Sequence, residues 1–145
     1  MKWITRNNIK VDRVACPWLI KRFIDREAEF LFVEEACLLE SAKREGAIPF
    51  DASRIPEVKL NHRGNWCTFE SIIHDYAVKE PGLDLLALIV RSADIDGQEH
   101  VAAEGRGLRA ISDGCAALQL TDEERLDRLF PVYDALLAYC RMKAA

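Results

Sequence analysis

Apolar and polar residues alternate in short bursts through the first third of the chain and then settle into helical spacing. Trp3 to Thr5 reads as a short strand, closed by a polar turn at Asn7 and Asn8. In Val11 to Asp25, VDRVACPWLIKRFID, the residues Val14, Trp18, Leu19 and Phe23 fall near 3.6-residue spacing and predict an amphipathic helix. Pro17 limits where it begins, because proline suits a first turn, where its missing N–H has no partner to lose. Regular helix is therefore expected from about Ala15 or Cys16. Glu29 to Val33 (EFLFV) predicts a strand, and Ala36 to Arg44 a helix ended by Gly46. Ala47 to Phe50 (AIPF) predicts a third strand with Asp51 at its end.

Beyond the ASRIPE loop, Val58 to Leu60 predicts a fourth, edge strand and Asn61 to Gly64 a turn, before a helix opening near Cys67. Pro81-Gly82 closes that helix and starts Leu83 to Ser92, LDLLALIVRS. This segment is apolar almost all round, so it is expected to be the most buried helix. Ala93 to Gly97 (ADIDG) is a turn with two carboxylates, but the terminal glutamate of a calcium loop is missing, which rejects an EF-hand. Glu104 to Gln119 and Asp122 to Met142 give two more helices, the second with Thr121 as N-cap. No linker, repeat or low-complexity tract interrupts this order. The expectation is one domain, residues 1–145, of mixed α/β (α+β) class. A small three- to four-stranded sheet packs with helices, and the C-terminal half is all helical.

Composition narrows the classes. A chain of 145 residues, 50% hydrophobic and 30% charged, can bury a core without staples. A net charge of -4 argues against sequence-independent nucleic-acid binding, which needs a basic face. The N-terminus shows no apolar signal region, and no apolar run approaches the ~18–20 residues of a membrane span, so a cytoplasmic location is expected. Five cysteines at positions 16, 37, 67, 115 and 140 form no disulfide framework and read as thiols.

Candidate chemistry begins at His62 to His74, HRGNWCTFESIIH, with two of the three histidines. With helix from about Thr68, Glu70 and His74 stand one turn apart, Cys67 sits at the helix mouth and His62 lies just upstream. Imidazole, thiol and carboxylate donors brought together this way suit a transition metal, although the spacing matches no named zinc signature. An i,i+4 Glu/His pair is equally a solvated helix face. At the expected helix start, the dipole and Arg13 would favour a Cys16 thiolate, the alternative being a thiol packed under Trp18. Asp51, Arg91, Asp94 and Asp96 end other elements, where caps, turns and ion pairs also explain them. Serine-hydrolase and phosphate-loop signatures are absent.

The stretches VDRVACPWLIKRFID, EFLFV, GAIPFD, NHRGNWCTFE, IVRSADID and VYDALLAYCR occur in the order of the chromate-resistance protein B family, whose C-terminal domain this chain resembles from Lys2 to about Arg141. The resemblance implies a role in chromate resistance, by sensing or handling the oxyanion. It leaves out the winged-helix-like DNA-binding part of the longer regulators, so direct nucleic-acid binding is not implied. The family's pattern falls on Asp12, Arg13, Cys16, Trp18, Asp51, His62, Cys67, Glu70, Arg91 and Asp94, and His74 lies outside it.

Two readings stand at this point. In the first, Asp51, His62, Glu70 and Asp94 hold one divalent manganese, iron or zinc ion. Cys16 is then a redox-active thiolate assisted by Arg13, and Arg13, Arg91 and Cys67 face the oxyanion. In the second, the protein is a non-catalytic chromate sensor without a metal, and the sequence does not decide whether it is an enzyme. A homodimer is the expectation from how often soluble chains pair, and Leu83 to Ser92 could serve as well at a subunit contact as in a core.

Overall fold

A computed structural model describes residues 1–144. Three parallel strands, β1 (Lys2–Arg6), β2 (Glu29–Val33) and β3 (Ile48–Pro49), form a sheet in the order β2-β1-β3. Trp3 pairs with Phe30 on one side and Ile48 on the other. Parallel neighbours need crossover helices, supplied by α1 (Val11–Leu19) and α2 (Leu38–Glu45). Alternation along β1 sends Trp3 into the main core and Ile4 into a smaller one with Leu38, Ala42, Ala52 and Val58. The helical half comprises α3 (Thr68–Asp75), α4 (Leu83–Asp94), α5 (Gly105–Ala117) and α6 (Asp122–Ala144). The mixed α/β class and the helical C-terminal half are as expected. Thr121 and Glu124 form the reciprocal cap that opens α6.

Three details differ from the sequence pattern. Val58–Leu60 forms no strand, only a single bridge from Leu60 to Phe50, so the sheet stops at three. The more enclosed helix is α1, buried at every position but Arg13, because it packs on α3, α4 and α6. That helix also begins at Val11 rather than near Cys16. Pro17 lies inside it, and the chain then widens into a π-helical stretch at Ile20–Ile24. The missing proline N–H and this widening go together, since both disturb the i to i−4 ladder.

The connection leaving β1 turns toward β2, whereas the one leaving β2 crosses back to β3. Strand order therefore reverses beside β1, and the C-terminal ends of β1 and β3 are where a ligand crevice is built in such sheets. Asp12, Arg13 and Asp51 follow those two ends directly.

Candidate metal centre

Asp12 stands in the first turn of α1 but caps another helix. Its Oδ2 accepts the Thr68 N–H at 2.7 Å and its Oδ1 the Phe69 N–H at 3.0 Å, at the N-terminus of α3. The orphan donors and positive dipole end of α3 draw a carboxylate there. The Asp12 N–H in turn donates to Asp94 Oδ1 at 3.3 Å, holding the last residue of α4 against the start of α1. Asp51 takes a left-handed conformation, φ 51°, just past β3. There its Oδ1 accepts the Thr68 hydroxyl at 2.7 Å, and its carbonyl accepts Arg6 Nε at 3.2 Å. Aspartate tolerates that conformation better than most residues.

These three carboxylates converge on one imidazole. His62 Nε2 lies 3.2 Å from Asp12 Oδ2, 3.2 Å from Asp94 Oδ2 and 3.5 Å from Asp51 Oδ1. One ring N–H cannot satisfy three acceptors. Hydrogen bonds to Asp12, Asp51 and Asp94 outweigh burial and push His62 up to about 12, so it is an imidazolium at neutral pH. Burial, with Asp94 and Asp51 nearby, pushes Asp12 up to about 7. Asp51 is buried too, but His62, Thr68 and Arg13 hold it below the ordinary carboxylate range. Asp12 is 1% exposed at its side chain and His62 32%, so the cluster has a sealed floor and an open mouth.

The donor set fits a cation. One ligand atom each from Asp12, His62 and Asp94 lie within 4.8 Å of one another. Donors sharing a metal at about 2.1 Å stand roughly 3.0–3.4 Å apart, close to the spacing around His62 Nε2. An ion bound at His62 Nε2 would displace its proton, leaving three aspartates facing the single charge of Arg13, a deficit that a divalent ion would cancel.

A family model described as ChrB, C-terminal domain, matches residues 3–140. The chain belongs to this family. Protein ChrB of Cupriavidus metallidurans is 32% identical over 139 residues, covering 95% of the present chain. The match spans 40% of that longer protein. No solved structure matches.

The ChrB-type fold brings Asp51, His62 and Asp94 together and sets Glu70 apart from them. Glu70 accepts Arg91 Nε at 2.9 Å and Nη2 at 2.5 Å in a two-pronged pair, and takes the Cys67 N–H at 3.0 Å. Arg91 is thereby committed, and its charge is answered. Arg13 is committed as well: Nη1 donates to the Asn7 carbonyl at 3.0 Å, and Nε lies 3.4 Å from Asp51 Oδ2. His74 pairs with Asp75 on the surface.

The expected thiolate at the helix start is corrected. Cys16 is fully buried one turn inside α1, where its thiol donates to Asp12 Oδ1 at 3.4 Å. Burial and the charges of Asp12 and Asp51 push it well up, keeping it protonated. Cys67 is buried also, its thiol directed at Glu70 Oε1, 3.4 Å away, and burial with Asp12 and Glu70 likewise pushes it up. Asp12 is the residue that spacing did not propose as a ligand. Its available signal was its place among the family-matched positions; its first-turn place in α1 appears only in the structure.

Proposed function

We propose that this domain is a metal-binding module of chromate resistance, in which Asp12, His62 and Asp94, backed by Asp51, hold one divalent transition ion. The observation that carries the reading is one imidazole shared by three carboxylates at 3.2, 3.2 and 3.5 Å. Mixed imidazole and carboxylate donors suit manganese, iron or zinc. The ion would supply a Lewis-acid or redox centre facing the open mouth. The chain's own residues do the positioning: Asp12 ties α1 to α3, Thr68 orients Asp51, and Arg13 balances part of the negative charge. Cys16 and Cys67 serve as protonated donors to carboxylates, a role that favours holding the site over thiolate redox chemistry. Chromate enters by membership of the family, and a cytoplasmic place for the domain follows the same reading. Among the described residues no helix is long and apolar enough to cross a membrane.

A metal-free sensor gripping chromate on Arg13 and Arg91 is the second reading, and the carboxylate pairing of both arginines weighs against it. The test is titration calorimetry of the chelator-treated protein with Mn²⁺, Fe²⁺ and Zn²⁺ separately, alongside complementation of a chromate-sensitive host. One ion should bind at a 1:1 ratio, and His62→Ala and Asp94→Asn should abolish binding and chromate tolerance together. If none of the three ions binds while tolerance is restored by His62→Ala, the metal reading fails. Direct chromate binding that survives chelation would establish the sensor instead.

A further inference from the structure

A depression of about 380 Å³ lies between α3 and α4, and none of the proposed metal ligands lines it. Glu70, Ile73 and His74 reach it from α3, spaced i, i+3 and i+4 and so on one helix face. Asp84, Ala87 and Leu88 reach it from α4 with the same spacing. Trp66, from the loop before α3, completes the lining with its indole beside the His74 ring, centroids 5.4 Å apart. The result is an apolar lining of Ile73, Ala87 and Leu88 with an aromatic wall. Trp66 is half-buried, so one part of its ring is packed and another is accessible.

Charge decides what such a groove takes. Glu70 is answered by Arg91 in a two-pronged pair, and His74 pairs with Asp75. Asp84 is exposed, and among the described residues no cation pairs with it. The groove therefore repels an anion and has one negative charge left to answer. A metal ion would find a single free carboxylate among apolar walls; among the described residues, three convergent donors occur only at Asp12, His62 and Asp94. An organic ammonium ion meets every side of the lining. Its charge has the Asp84 carboxylate and the face of an indole, the best of the aromatic platforms for a cation. Its hydrocarbon body has Ile73, Ala87 and Leu88 to cover. The volume lies at the lower end of the ~300–1,000 Å³ of small-ligand cavities, which suits one ring or a short chain. We propose that the α3–α4 groove binds a small protonated monoamine, its ammonium facing Asp84 and Trp66 and its apolar body lying on Ile73, Ala87 and Leu88. The proposal is independent of the metal centre. An acid in the first turn of α4 also suits that helix's dipole, so the test reads ligand selectivity and not stability.

The chain carries its own reporter. Trp3 and Trp18 are each 1% exposed, so acrylamide quenching of the protein's fluorescence reads Trp66. Phenethylamine should protect that emission with a Kd of about 1 mM or tighter, as expected for a ligand of about nine non-hydrogen atoms. The uncharged 2-phenylethanol should protect about tenfold more weakly, and 3-phenylpropionate not at all. Asp84→Asn should weaken phenethylamine about threefold and leave 2-phenylethanol unchanged. Asp84→Lys should transfer the preference to 3-phenylpropionate. Asp84 is exposed, so both variants should fold, with a circular dichroism spectrum like that of the unaltered chain. Absence of protection by phenethylamine overturns the proposal. So does equal protection by all three compounds, or a preference for the amine that persists in Asp84→Lys.

Discussion

Two acidic assemblies flank the first turn of α3, and they are built on opposite principles. Glu70 meets Arg91 one to one, two-pronged and largely enclosed, so each charge has its partner. Asp12, Asp51 and Asp94 share a single His62, whose proton cannot serve all three. The first assembly is complete as it stands and reads as structural. The second carries surplus negative charge and spare lone pairs at an open mouth, which is what a cation site needs before it is filled. Counting acids would have grouped all four together. Counting partners separates them.

That contrast can be broken most forcefully at Asp12. Asp12→Ala leaves the Thr68 and Phe69 N–H groups unpaired in the interior and should cost about 3 kcal/mol in urea unfolding, with loss of metal binding. Glu70→Gln should cost less, about 1–2 kcal/mol, and leave metal affinity within a factor of about two. Equal loss of affinity in Asp12→Ala and Glu70→Gln would erase the distinction between the two assemblies.

Acidity sharpens the same point. His62 is pushed up to about 12 in the folded chain, against about 6.5 when unfolded, so its contribution is full below pH 6.5 and is lost as the pH rises through 12. Thermal unfolding of metal-free protein should therefore show stability falling from neutral to alkaline pH, and His62→Gln should flatten that fall. The smallest expected effect is Cys16→Ser, which keeps a donor to Asp12: under about 1 kcal/mol, with metal binding retained. Lost binding in that variant would return the thiol to the centre of the chemistry.

Much of the fold was legible because alternation and helical spacing are local properties. EFLFV, LDLLALIVRS and the Thr121 cap each state their structure within a few residues. The start of α1 was not, since proline's preference for a first turn is local while this helix's own first-turn acid finds its partner 56 residues away at Thr68. The site divided in the same way. Asp51 and Asp94 sit at element ends, where ligand groups are expected, and they converge with His62 from the loop before α3. Glu70 lies in the same stretch as His62, yet Arg91 claims it, and that pairing is set by how α4 packs on α3.

Asp12 and Asp94 touch across 82 residues of chain, through the peptide N–H of one and the carboxylate of the other. During synthesis the pocket therefore has no counterpart until the fourth helix has been made. Before then, an ion meets scattered donors with no shared geometry. Afterwards a bound ion would add a second tie between the opening helix and the middle of the protein, beside the hydrogen bond that already joins them.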